Sequence, residues 1–190
     1  MTVPEVVRLA PAAPSMLQLA LPLQQALADR AFAHSGQAKW DPERALDIAA
    51  RHGLEAEVPA AHRAAVVSLE RAPAPWFGRR LTVLWTMFML GRPTDQGAQT
   101  LWMAEAARLL GDLPHDILAH SIDEAIKVSR HGFMPSVGEI RSIADPLVGE
   151  RRTHIDRLGR MAAAIDDAAA LQGRSARRHD ARLHADHGER

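Results

Sequence analysis

Apolar positions recur at steps of three and four along most of this chain, interrupted at a few points by proline and glycine. That spacing lays apolar side chains on one face of a helix. Residues 1–14, with Pro4, Pro11 and Pro14, read as a flexible arm. An N-terminal helical region follows over 15–72. Its first helix is expected over 15–33, bent at Pro22. The second is framed by Asp41 as N-cap, Pro42 at the first helical position and Glu43 at the positive end, and it stops at Gly53. A third covers about 60–71. Pro73, Pro75 and Gly78 then break the pattern, so 73–78 reads as a linker or subdomain boundary.

Beyond the break the apolar stripes strengthen, and residues 79–146 read as a compact helical unit. Leu81, Leu84, Trp85, Phe88 and Met89 fall on one face, widened by Val83, Met87 and Leu90, which predicts a centrally buried helix. Thr94 is expected to cap a helix reaching Leu110, with Leu101, Trp102, Ala106, Leu109 and Leu110 inward. Pro114 opens another, carrying Ile117, Leu118, Ile122, Ala125, Ile126 and Val128, and Gly132 ends it. Ser136 and Glu139 form an S-x-x-E capping box, the sharpest local signal in the chain, and start a short helix that Pro146 interrupts. Phe133, just before it, is expected to be buried. A long amphipathic helix over 147–172 carries Ile155, Leu158, Ala162, Ile165 and Ala169. Its roughly three heptads admit oligomerisation, while the plainer alternative is one stripe packed on its own domain. Residues 173–190 read as a disordered basic, His-rich tail.

Composition sharpens the fold class. Apolar residues make up 47% of the chain, dominated by Ala and Leu, and there is no Tyr. Ala and Leu favour helices, whereas sheets favour β-branched and aromatic residues, so the expectation is an all-α protein. The absence of Cys excludes disulfides, thiol catalysis, Fe–S clusters and thiolate zinc sites. Glu5 precedes any basic residue, and Pro22, Gln24 and Gln25 cut the early apolar run, which argues against a signal peptide. No stretch approaches the ~20 apolar residues of a membrane span. A protein of the bacterial host cytoplasm is expected. The formal net charge is zero, yet the last forty residues are basic, with Arg151, Arg152, Arg157, Arg160, Arg174, Arg177, Arg178, Arg182 and Arg190.

Little in the chain points to catalysis. His115, Asp116, His120 and Glu124 share one predicted helix, but only His120 and Glu124 have ligand spacing, and two ligands do not hold a metal. His179, His184 and His187 lie on the tail, where ordering entropy opposes chelation. There is no G-x-S-x-G elbow, Walker loop or dinucleotide fingerprint. Catalytic, cofactor-binding and metal-ligating residues are therefore all read as none. Trp76 and Phe77, followed by Arg79 and Arg80, are candidates for a partner groove or for nucleic acid. Their alternative is a hydrophobic anchor tying the segment down.

The stretch from Thr100 to Asp145 resembles small helical phage replicative helicase loaders and inhibitors, and related prophage proteins. An aromatic-bearing helix leads to an L-P step, an amphipathic helix, then F-x-P-S and E-I. Trp102, Leu110, Leu113, Pro114, Ile117, Leu118, Ile122, Ala125, Phe133, Pro135, Glu139 and Ile140 hold the matching positions. The preceding RLTVLWTMFMLGRPTDQ is similar to the opening of the same unit, so the likeness covers about 79–146. It implies a non-catalytic phage or prophage replication protein that binds and loads or inhibits a hexameric replicative helicase. In that family a C-terminal region engages the helicase. Here Arg151, Arg152, Arg157 and Arg160 are the candidate contacts, because Arg pairs bidentately with carboxylates. The alternatives are a small DNA-binding regulator using the basic C-terminal segment, or a phage inhibitor of another host protein.

Overall fold

The computed structural model describes residues 19–29, 31–32, 38–89, 95–129 and 132–187, the side chains of 31, 32, 38, 176 and 178–187 aside. The arm at 1–14, the start of the first expected helix, Leu90 and Thr94 lie outside these residues. The fold is all-α. Among the described residues there are seven α-helices: α1 Leu21–Ala28, α2 Pro42–Arg51, α3 Val58–Val67, α4 Ala74–Met89, α5 Gln96–Leu110, α6 His115–Val128 and α7 Val137–His187. A 3-10 turn, Glu55–Glu57, precedes α3, and a two-residue antiparallel pair sets Ala31–Phe32 (β1) against Ala38–Lys39 (β2).

The expected helix starts hold where caps mark them. Asp41 accepts from the Arg44 N–H at 3.0 Å, with Pro42 opening α2, and Gly53 takes φ +69° just after the helix. Pro22 opens α1 instead of bending it, because a proline in the first turn removes an N–H that has no helical partner. The same logic corrects the expected break at 73–78. α4 begins at Ala74 with Pro75 in its first turn, so Trp76, Phe77 and Gly78 are helical. Just upstream, the chain is strapped to the α5–α6 turn. Ala72 N–H donates to the Leu113 carbonyl at 3.4 Å and His115 N–H to the Glu70 carbonyl at 3.2 Å.

The capping box forms reciprocally. Ser136 N–H and Oγ donate to Glu139 Oε2 at 2.7 and 2.8 Å, and Glu139 N–H donates back to Ser136 Oγ at 3.2 Å. The helix it opens runs through Pro146, correcting the expected interruption. Ile140, Ala144 and Val148 make one buried stripe across the proline, and this packing holds the helix that Pro146 weakens. Ser142, whose carbonyl loses its helical donor to Pro146, is exposed, so water can serve it. The helix also continues past Gly173, where the sequence pattern fades.

The described residues fall into two compact units. The first comprises 65–152. Its core is Phe77, Leu81 and Leu84 of α4, Ala106 and Leu110 of α5, Leu113, Ile117, Leu118, Ile122 and Ala125 around α6, and Ile140, Ala144 and Val148 of α7. Burying each large aliphatic among these contributes about 1.5–3 kcal/mol. α4 is less buried than its composition suggests. Val83 and Met87 face outward, and Trp85 stacks at a tilt on Trp102, ring centres 5.4 Å apart, both half-buried. On α5, Leu101 and Leu109 are likewise exposed, and Asp95 makes the described cap, accepting from Gly97 N–H at 2.8 Å. The second unit comprises 19–64 and the part of α7 from Thr153 onward. Its buried residues include Leu23, Ala26 and Leu27 of α1, Trp40, Ala45 and Ala49 of α2, Val58, Leu158 and Met161.

Candidate partner-binding site

The residues singled out for partner contact do not gather into one patch. Phe77 is core. Trp76 is half-buried and meets the His115 ring edge-on, centres 4.2 Å apart, which makes the pair a hydrophobic anchor. Arg79 is exposed. Arg80, one residue on, ties α4 to α6 through an ion pair with Asp123, and burial lowers its guanidinium pKa below the usual arginine value. Of WFGRR, Arg79 therefore presents the freest charge to a partner.

Arg151 lies inside the first unit, only 3% exposed. Its Nη1 donates to Asp116 Oδ1 and to the Ser68 carbonyl, both at 2.8 Å, and its Nη2 donates to Asp116 Oδ2 at 2.6 Å. This planar fork holds α7, α6 and the end of α3 together. Arg151 is thus corrected from a surface contact to a structural clamp, and the position of Asp116 is explained without a metal. Arg152, its neighbour, is exposed.

Arg157 and Arg160 belong to the second unit and converge on Trp40, a residue the helical periodicity alone passes over. Trp40 is buried and donates its indole N–H to the Ala26 carbonyl at 3.0 Å. The Arg157 and Arg160 guanidinium carbons lie 5.4 and 5.0 Å from its ring centre. Arg157 also donates to the Leu27 carbonyl, placing a cation at the negative end of α1. Its role is to lock α1 and Trp40 to α7, whereas Arg160 stays exposed. The signal that could have found Trp40 is its place just before the Asp41 cap, where an apolar residue pairs with the fourth helical residue, here buried Ala45.

The histidines do not converge either. Glu124 is taken by Lys127 at 2.6 Å, and among the described residues no three His, Asp or Glu side chains are grouped as ligands. His62 packs against Gly159, whose missing Cβ would lie 3.1 Å from the imidazole Nε2. The tail histidines are outside the described side chains.

The most open surface of the second unit is distal α7. Every described side chain from Asp166 to Arg177 is exposed, including Leu171 at 60%. Compared with known proteins, the chain matches no family model, and no curated protein or solved structure matches it significantly. No helix among the described residues is long and apolar enough to cross a membrane.

Proposed function

We propose that this chain is a non-catalytic accessory protein of phage or prophage replication that binds a hexameric replicative helicase, with the distal part of α7 as its contact. The observation that carries the reading is the exposure of every described α7 side chain from Asp166 to Arg177. A helix open to water over several turns, with Gly173 inside it, is weakly stable on its own and gains most from a partner. The likeness of 79–146 to helicase loaders and inhibitors supplies the class of partner. The geometry also redraws the contact set. Arg151 and Arg157 hold the fold, which leaves Arg79, Arg152, Arg160, Arg174 and Arg177 exposed to meet acidic groups.

The test is capture of the cognate helicase by the full chain and by a chain ending at Ile165. That truncation keeps Val148, Arg151, Leu158 and Met161, so both units retain their buried residues. The full chain should bind and change helicase activity, and the shortened one should lose binding while keeping its remaining helix. Equal capture by both would remove α7 as the contact. If the full chain ignores the helicase but binds duplex DNA with steep salt dependence, the DNA-binding regulator replaces this reading.

A further inference from the structure

Distal α7 carries an acidic pair and an arginine, Arg174, that have no oppositely charged neighbour at helical pairing distance. Asp166 and Asp167 are exposed, and the residues three and four positions away on either side are Ala162, Ala163, Ala164, Ala169, Ala170 and Leu171. Helical ion pairs form at those spacings, so neither acid has a basic partner along α7. Arg174 has Ala170 and Leu171 behind it and Arg177 and Arg178 ahead. Arg177 donates to the Gly173 carbonyl at 3.2 Å and has Asp180 three residues on. Between the acidic and basic blocks stands exposed Leu171, with Ala164 and Ala168 on the same face.

We propose that this segment pairs antiparallel with the same segment of a second copy of the chain, about a two-fold axis at Leu171. Reversing one helix over the other brings acid to base at both ends of the contact. Ala168 of one copy then faces Arg174 of the second, and Asp167 stands one residue from that arginine. Leu171 meets Leu171 at the centre, where it loses the exposure it has alone. Ala164 and Ala168 leave room for the backbones to approach. A parallel pair would set Asp167 on its own copy and Arg174 on its own, so repulsion selects the antiparallel direction. The symmetry is that of an isologous dimer contact, in which one patch serves both partners. This pairing does not rest on the helicase reading and is measured without any helicase.

The experiment is sedimentation equilibrium of the full chain over a wide concentration range. A monomer–dimer equilibrium is expected, weakened by salt. Asp167→Arg should weaken the dimer tenfold or more, and Arg174→Asp should do the same, because these two positions flank Leu171 on one face of the helix. Combining the two should restore it, a rescue that loss of folding cannot imitate. Direction is read by cross-linking, since the chain has no native cysteine. Leu171→Cys should form a disulfide-linked dimer on oxidation. Ala164→Cys should not, because seven residues from the axis its two copies lie about 21 Å apart. A chain that stays monomeric throughout, a charge-swapped double variant that fails to recover, or equal cross-linking at both cysteines would overturn the proposal.

Discussion

Removing either half of the Arg151–Asp116 pair should destabilise the first unit, but unequally. Arg151 is almost fully buried, whereas the Asp116 side chain is 46% exposed. Asp116→Ala removes the carboxylate from a buried guanidinium that also donates to the Ser68 carbonyl. Loss of one partner of a buried pair costs about 3–5 kcal/mol, and the half-solvated carboxylate places this one near ~3. Arg151→Met leaves the opposite remnant, a carboxylate that water can reach, with a flexible apolar side chain filling much of the space. Its cost is the lost hydrogen bonds, about 1–2 kcal/mol. The assay is urea unfolding in a Trp40→Phe background, so that fluorescence reports Trp76, Trp85 and Trp102 of the first unit. Midpoints should be compared at unchanged slope. A double variant should cost less than the two losses summed, because the partners interact directly. If Arg151→Met costs as much as Asp116→Ala, or both cost under ~1 kcal/mol, the pair is not the buried clamp described above.

Three further outcomes follow from particular contacts. Ser136→Ala should cost about 1 kcal/mol by removing the reciprocal cap of α7, while Phe133→Ala, at a residue 66% exposed, should stay within about 0.5 kcal/mol. Denaturant melts giving the reverse order would refute the described turn. The Ser136 backbone N–H and hydroxyl hold Glu139 below the usual carboxylate pKa. A depressed folded value means that its stabilisation is present above the unfolded value of about 4.3 and lost as pH falls through the folded one. Melting temperature should therefore drop more steeply below about pH 4.3 for the wild type than for Glu139→Gln; parallel curves would contradict this. Finally, Gly159→Val should cost about 1–3 kcal/mol by forcing the His62 ring aside. His62→Ala should relieve most of that loss in a double-variant melt, and simple additivity would show that the contact is not the cause.

Phe133 and Arg151 mark the limits of what the chain's pattern reveals. Caps and stripes are local, so Asp41 with Pro42, Ser136 with Glu139, and the buried face of α6 are legible from spacing alone. On α7 the spacing finds buried Leu158 but also takes in exposed Ala169 and passes over buried Met161. The all-α class follows from the same periodicity and from the Ala and Leu content. Proline is ambiguous by itself. Pro22 and Pro75 sit in first turns and Pro146 sits inside a helix, and only the stripe of Ile140, Ala144 and Val148 across Pro146 decides the last case. Spacing does not sort the candidate contact arginines. Arg151, Arg152, Arg157 and Arg160 look alike along the chain, since each is an arginine on one helix. Which of them is spent inside depends on partners distant in sequence: Asp116 and the Ser68 carbonyl for Arg151, Trp40 and the Leu27 carbonyl for Arg157. Periodicity assigns a residue to a face of its helix, but tertiary packing determines whether that face meets a carboxylate, a ring or water.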